Sequence, residues 1–298
     1  MRIVNGLRRI LWGVFKKVVI ADHLAIYVNV AYNNAHDYTG PVLILATIFF
    51  TFQIYCDFSG YSDIARGCAQ VLGIHLMENF RQPYLSRSVR EFWRRWHIFL
   101  STWFRDYLYI PLGGNRVAFG YMLVNIMIVF VVSGLWHGAS WTFAIWGALH
   151  GSYLVGETVL FRWNQPAKFH LPFAVPRIVK MLFTFMLVCF AWIFFRANSL
   201  NDAWYIVNHL FSLPADLSLD SLTSPFDTNH LLALTDFMAV WGLLSLLLLL
   251  DWMDSRWGLL NLFSRRHIVL RWAIYYTLVL AILYAYGAAP QEFIYFQF

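Results

Sequence analysis

Charged residues are scarce in this sequence. Asp, Glu, Lys and Arg make up 13% of its 298 residues, whereas 60% are hydrophobic. Soluble globular domains carry roughly 25% charged residues, so the composition excludes an ordinary soluble domain. There are only three cysteines, Cys56, Cys68 and Cys189. Their spacing suits no metal site, and each falls in or beside an apolar segment, so buried free thiols are expected.

Several motifs of soluble enzymes are also missing. The chain has no GxSxG nucleophile elbow, no GxGxxG after a strand, no P-loop and no HExxH. No ligand spacing supports a metal site, so none is predicted. The net charge of +6 comes with clustered arginines, a pattern that indicates membrane topology rather than nucleic-acid binding.

What the sequence has in abundance is apolar runs of about 20 residues, the length that spans a bilayer. We therefore predict an all-α, polytopic helical membrane protein with re-entrant or interfacial helices. Residues 1–32 predict a tilted or interfacial helix followed by a short span, and Leu200–Leu213 predicts an amphipathic helix. The predicted spans are Pro41–Cys56, Val117–Leu135, Trp141–Phe161, Val179–Phe195, Leu231–Leu250 and Ile268–Ala288.

Basic residues orient these spans. Seven arginines lie between Met77 and Arg116, so this segment is predicted to be cytoplasmic. No Lys or Arg occurs between Arg196 and Arg256, and the acidic loop in that gap is predicted to lie outside. Alternation of the spans then places the C-terminus, PQEFIYFQF, on the outer side.

The segment SVREFWRRWHIFLSTWFRDYLYIPLGGNR predicts an amphipathic helix. At 100° per residue its aromatic and aliphatic side chains share one arc and its charged side chains the other. His97 falls at the edge of the apolar arc, one turn from Trp93 and Ser101, and is predicted to face inward. The alternative is a core histidine bonded to a carbonyl. The apolar arc comprises Trp93, Phe92, Trp96, Phe99, Leu100, Trp103, Phe104 and Tyr107.

Gln53 and Asp57 lie four residues apart in a polar stretch at the end of the first apolar run, hence on one helix face. Gly60 is expected to bend the chain there. A carboxylate at bilayer depth is a functional candidate. The alternative is a structural carboxylate paired with an arginine such as Arg66.

His137 ends another apolar run, VVSGLWHGASW. Gly134 and Gly138 flank it, so a break or re-entrant turn is expected to hold it deeper, with Trp136 as a wall. Burial would keep the imidazole neutral, which is what a general base requires. The alternative is a histidine that bonds a neighbouring helix, and for His150 in the next span that structural interpretation is stronger.

Three segments together, EFWRRWHIFLSTWFRDYLYIPLGGNR, then GLWHGASW, then the terminal FIYFQF, resemble the membrane-bound O-acyltransferase family, in particular its alginate O-acetylation branch. The segments GVFKKVVIADHLA and YCDFSGYSDIARG also fit. The resemblance extends over most of the chain from Gly6. It implies one membrane domain over residues 1–298, with His137 as catalytic histidine and His97 as the second signature histidine. Family members are typically longer, so further N-terminal spans are expected in the full family fold.

The resemblance implies an O-acyltransferase that acetylates an exported polysaccharide. The donor, acetyl-CoA or another thioester, would enter from the cytoplasm without any tightly bound cofactor. The substrate tunnel would include Trp136, Asp57, Gln53, Trp93, Ser101 and Trp103. A bacterial inner membrane, a periplasmic C-terminus and a periplasmic acetyltransferase partner are expected. The alternatives are a D-alanyl transferase of the same family, a transporter with Asp57, His97 and His137 as a relay, and a non-catalytic scaffold.

Overall fold

A computed structural model describes residues 2–38, 40–164, 176–212, 234–257 and 267–286. These residues form α-helices with short 3₁₀ and π segments, and they contain no strand. The predicted all-α class is confirmed. The acidic loop, residues 212–230, and the C-terminal nonapeptide, residues 290–298, fall outside the described residues, apart from Ser212.

The helices lie close to the predicted apolar runs. Two π-helical segments, Lys16–Ala21 and Arg105–Tyr109, interrupt the α-helical pattern. The 3₁₀ turns are Ala35–Asp37, Pro83–Leu85 and Gly114–Arg116. The α-helices of the described ranges are α1 (Arg2–Phe15), α2 (Asp22–Asn33), α3 (Gly40–Leu72), α4 (Val89–Trp93), α5 (Ile98–Phe104), α6 (Phe119–His137), α7 (Trp141–Asn164), α8 (Arg177–Arg196), α9 (Leu200–His209), α10 (Leu234–Trp257) and α11 (Ile268–Ala285).

Five of these helices are long and apolar enough to cross a bilayer: α3, α6, α8, α10 and α11. The protein is therefore a multi-pass membrane protein. The third predicted span, Trp141–Phe161, coincides with helix α7, which is not among these five.

The chain divides into two compact units. The first comprises residues 1–78 and 204–298, and the second comprises residues 79–203. The boundary falls inside α9. A single domain over residues 1–298 stays a prediction.

In the first unit, α1 and α3 cross closely because glycines face each other. A Cβ built on Gly13 would lie 2.5 Å from the carbonyl oxygen of Gly60, and one on Gly6 would lie 2.8 Å from that of Gly67. The expected bend at Gly60 was wrong as a helix break, since α3 runs without interruption from Gly40 to Leu72. Gly60 instead permits close backbone approach.

Hydrogen bonds attach the last two helices to this unit. The Tyr55 hydroxyl on α3 donates to Asp251 on α10 at 2.9 Å. The Arg8 guanidinium on α1 donates to the Tyr275 hydroxyl on α11 at 2.6 Å. Polar contacts of this kind select one helix register in a largely apolar bundle.

The three cysteines are free thiols, but the prediction that all are buried was wrong. Cys56 is buried, Cys189 is half-buried and Cys68 is exposed. Cys68 lies near the end of α3, beyond its most apolar part.

Candidate active site

His137 is the last residue of α6, in the second unit. Its half-buried imidazole packs edge to face against Trp146 of α7 and Phe195 of α8, with ring centroids 5.2 and 5.3 Å away. Trp136 contacts the same ring at 5.0 Å, although its own side chain is 56% exposed. The expected break lies directly after the histidine, since α6 continues through Gly134, ends at His137 and is followed by Gly138 in an extended conformation.

Glycines let α6 and α7 approach closely enough to form this aromatic wall. A Cβ on Gly147 of α7 would collide with the carbonyl oxygen of Phe130, and a Cβ on Gly134 of α6 would collide with that of Phe143. Gly147 and Gly151 have the GxxxG spacing typical of close helix pairs in membranes. The sequence therefore positions His137 against α7 through residues with no side chain.

His97 lies between α4 and α5 with φ 42°, in the left-handed region. Its side chain is only 8% exposed. Burial, together with a smaller repulsion from a positive charge on His137, lowers the pKa of His97 to about 3. The second unit therefore brings the two histidines within electrostatic range, and His97 stays neutral at physiological pH.

The left-handed residue also breaks the predicted amphipathic helix. Residues 88–109 form α4, α5 and a π-helical turn instead of one continuous helix. The single apolar arc was therefore wrong. Phe92, Trp96, Leu100 and Phe104 are buried, whereas Phe99, Trp103 and Tyr107 are 49%, 45% and 68% exposed. His97 faces inward as predicted, but through its backbone conformation rather than helical phase.

Beside this segment is a cavity of about 490 Å³, here called the arginine-lined pocket. Its wall includes two predicted tunnel residues, Trp93 and Ser101, whereas Trp103 and Trp136 are not part of it. Its size falls within the usual range for small-molecule sites. Neither imidazole lines it, but Ser133, one turn before His137 on α6, does. The lining residues are Arg90, Trp93, Arg94, Leu100, Ser101, Phe104, Arg105, Tyr109, Asn115, Met122, Ile126, Val129, Phe130, Ser133, Leu154 and Thr158.

A carboxylate on α7 fixes the start of α4. Glu157 accepts from the backbone N–H groups of Val89 and Arg90 at 2.5 and 3.1 Å. The Arg90 guanidinium in turn donates to the Thr158 hydroxyl at 2.7 Å. The first-turn N–H groups of a helix need such acceptors. Glu157 is a positioning residue that sequence reasoning missed, although a carboxylate within an apolar run was a signal for it.

The N-terminus of α4 has a second sequence signal. The Ser88 hydroxyl accepts from the Glu91 N–H at 3.1 Å, and the Glu91 carboxylate accepts from the Arg87 N–H at 2.8 Å. This arrangement is close to a capping box, and the SVRE tetrapeptide matches the Ser-x-x-Glu pattern of that motif. Together with Glu157 it orients Arg90 at the pocket.

His150 lies on α7 and is fully buried. The Trp93 indole N–H donates to its Nδ1 at 3.3 Å. Its ring also packs edge to face on Trp146 at 5.2 Å. Trp146 therefore lies between His150 and His137, at the same centroid distance from each.

Asp57 and Gln53 belong to the first unit. Asp57 is 2% exposed and pairs with Lys17 at 2.5 Å, and Lys17 also pairs with Asp22 at 2.8 Å. The cation differs from the arginine named in the structural alternative, since Arg66 pairs with Glu78 at 3.2 Å. Both lysines of the KK pair are used, since Lys16 binds Asp63 and Ser59, each at 2.8 Å. The geometry around Asp57 is that of a structural ion-pair network.

Metal-ligating side chains do not converge in the part of the chain that the structure describes. No group of three or more His, Cys, Asp or Glu there could hold a metal ion. What the second unit does assemble is two histidines, one of them neutral through burial, beside a pocket lined by three arginines. Such a group is suited to proton transfer near an anionic ligand.

Comparison with known proteins identifies the chain's relationships. The model of the membrane-bound O-acyltransferase family matches residues 3–199, which include both histidines. The probable alginate O-acetylase AlgI of Azotobacter vinelandii is 43% identical over 246 residues. The Helicobacter pylori peptidoglycan O-acetyltransferase is 42% identical over 201 residues, and the Bacillus subtilis teichoic acid D-alanyltransferase 27% over 205.

These matches cover most of this chain but less of each relative. The three alignments extend over 81%, 67% and 65% of this chain. They cover 48%, 37% and 51% of the respective relatives. The chain thus spans about half the length of the curated relatives that it matches. The predicted resemblance is confirmed at the level of the family.

Proposed function

Because the chain belongs to the membrane-bound O-acyltransferase family, we propose that it is an O-acyltransferase that acetylates the hydroxyl groups of an exported polysaccharide. The single observation that carries the proposal is the placement of His97 and His137 in one unit with the arginine-lined pocket. In the transporter alternative these histidines would form a relay with Asp57, but the Asp57 carboxylate is engaged by Lys17.

His137 is the proposed general base. Its imidazole takes the proton from the acceptor hydroxyl as the hydroxyl oxygen attacks the thioester carbonyl carbon. A C–O bond forms, the C–S bond breaks, and the proton on His137 passes to the departing thiolate. A backbone N–H or another nearby donor stabilises the oxyanion of the tetrahedral intermediate.

His97 is assigned the second position of the site. Because burial keeps its imidazole uncharged, it adds no positive charge to oppose proton uptake by His137. Its carbonyl accepts from the Ser101 N–H at 3.0 Å, which connects it to the pocket wall.

Acetyl-CoA is the proposed donor, bound in the arginine-lined pocket without a tightly held cofactor. Guanidinium groups match phosphate in a bidentate geometry, and the pocket presents Arg90, Arg94 and Arg105. Arg94→Gln should raise the KM for acetyl-CoA several-fold. Arg116→Gln, an exposed arginine outside the pocket, is the control and should leave it unchanged.

The relatives and the topology support the proposed acceptor and location. Relatives at 42–45% identity are named for acetylation of alginate or peptidoglycan, and D-alanyltransferases are more distant. Acetyl transfer is therefore preferred over D-alanyl transfer. The arginines of residues 77–116 favour a cytoplasmic donor side. A bacterial inner membrane, a periplasmic C-terminus and a periplasmic acetyltransferase partner complete the proposal.

Labelled acetyl groups test this function directly. A strain that lacks the protein is complemented with this chain, fed labelled acetate, and its surface polymers are analysed for ester-linked label. Alkali-labile label in a polysaccharide that depends on the chain is expected. Solute flux without ester formation would support a transporter instead, and unchanged acetylation on deletion would overturn the proposal.

A further inference from the structure

His150 has a fixed hydrogen-bonding role inside the second unit. The Trp93 indole N–H is a donor only, so the Nδ1 that receives it at 3.3 Å carries no hydrogen. The neutral ring then bears its hydrogen on Nε2, which has no hydrogen-bond partner among the described residues. A buried donor left unpaired is destabilising. An apolar side chain at position 150 would avoid this cost of an unpaired N–H. The presence of an imidazole there therefore indicates that its acceptor, Nδ1, has a role.

Aromatic rings hold the His150 imidazole in one orientation. Phe92 lies parallel to it, with centroids 6.2 Å apart and 5° between planes. Trp146 and Tyr153 meet it edge to face at 5.2 and 5.8 Å. With three sides packed, the ring has little freedom to turn Nδ1 away from Trp93.

Trp93 is the group that this hydrogen bond orients. Its indole lines the arginine-lined pocket and packs edge to face on Phe130, another lining residue, at 5.1 Å. A half-buried tryptophan whose N–H lost its acceptor would be less stable in this rotamer, because a buried indole N–H needs a hydrogen-bond partner. The pocket's shape at this wall therefore depends on an acceptor that lies behind it.

We infer that His150 is a positioning residue that sets the affinity of the pocket for its ligand by holding Trp93 in the wall. This inference rests on the proposed function, in which the pocket takes the donor. It assigns His150 no contact with substrate and no proton transfer. Its loss should act on donor binding rather than on the chemical step.

Three substitutions separate this role from simple packing. His150→Leu removes the acceptor, and His150→Asn places an amide oxygen near the position of Nδ1. Trp93→Phe removes the donor while keeping an aromatic ring. Ser152→Ala, an exposed neighbour on α7, is the matched control. The readouts are the KM and kcat for acetyl-CoA and the shift in unfolding midpoint caused by acetyl-CoA, which needs no turnover.

His150→Leu should raise the KM roughly three- to tenfold, the effect of one hydrogen bond, with kcat per folded protein little changed. His150→Asn should restore most of the affinity. The double variant His150→Leu/Trp93→Phe should have a KM no higher than that of the weaker single variant. An unchanged KM in folded His150→Leu, equal effects of Asn and Leu, or additive effects would overturn the inference.

If His150→Leu does not fold, His150→Phe takes its place, because it keeps a ring while removing the acceptor. It must raise the KM when Trp93 is present and add nothing in the Trp93→Phe background, whereas an unchanged KM contradicts the inference. Failure of the proposed function is separate, because the wild-type protein itself would then show neither transfer nor a midpoint shift with acetyl-CoA.

Discussion

The imidazole of His137 and the indole of Trp146 meet edge to face, with ring centroids 5.2 Å apart and planes at 89°. The contact joins the last residue of α6 to the second turn of α7. This contact forms because glycines let the two helices approach closely. The position of the proposed base therefore depends on residues that have no reactive side chain.

Gly147→Ala tests that dependence. The new methyl group would collide with the Phe130 carbonyl and push α6 from α7. Overpacking of this kind destabilises by about 1–3 kcal/mol, and displacement of His137 should lower transfer at least tenfold. Unfolding midpoint and transfer per folded protein are measured. Gly156→Ala on the same helix is the control, since a Cβ there meets nothing within 4 Å. Equal behaviour of the two variants would contradict the account.

Glu157→Gln tests how α4 is held. The substitution keeps the shape of the side chain but removes the negative charge of the carboxylate that accepts hydrogen bonds from the backbone N–H groups of Val89 and Arg90. Loss of a charged acceptor at a helix N-terminus should lower stability by about 1–2 kcal/mol and weaken acetyl-CoA binding through Arg90. Thermal unfolding with and without acetyl-CoA measures both effects. Asp37→Asn, which removes an exposed carboxylate of the first unit, should change little; a similar loss there would point to a general charge effect.

The Lys17–Asp57 pair gives a prediction that separates structure from substrate binding. Lys17→Met removes the ammonium group that pairs with both Asp57 and Asp22 and should destabilise by about 3–5 kcal/mol. Adding Asp57→Leu should recover part of that stability. If Asp57 is structural, transfer per folded protein recovers with stability. Recovered folding with abolished transfer would assign Asp57 to the substrate tunnel.

His97 predicts a specific acid dependence. Its pKa is about 3 in the folded protein and about 6.5 when unfolded. Its contribution to stability is therefore complete above pH 6.5 and is lost as pH falls towards 3. His97→Asn, which tolerates the left-handed backbone, should flatten the loss of unfolding midpoint between pH 6.5 and 4. An unchanged pH profile would show that His97 is not buried in its neutral form.

The sequence predicted those features that depend on local composition. The α6 span was predicted as Val117–Leu135 and observed as Phe119–His137, because an apolar run of membrane length defines its own ends. Inward-facing His97 was also anticipated. The helical wheel around it failed because periodicity assumes one backbone conformation, and His97 adopts another.

Partners distant in sequence were not predictable. The structural alternative for Asp57 named an arginine such as Arg66, nine residues away on its own helix, but Asp57 pairs with Lys17, which is 40 residues earlier. The acceptor role of His150 towards Trp93 joins residues 57 apart. Such contacts depend on which helices cross and at what angle, and this geometry cannot be derived from a single sequence.

In the proposed reaction His137 performs the proton transfer, and a comparison of two histidine variants tests this role. Labelled acetyl transfer to polymer is measured for His137→Ala and for His75→Ala, an exposed histidine of the first unit, at equal membrane expression. Loss of a general base lowers the rate by roughly 10²–10⁴-fold. His137→Ala should fall at least 100-fold while His75→Ala keeps wild-type transfer. Transfer by His137→Ala within a few-fold of wild type would contradict the account.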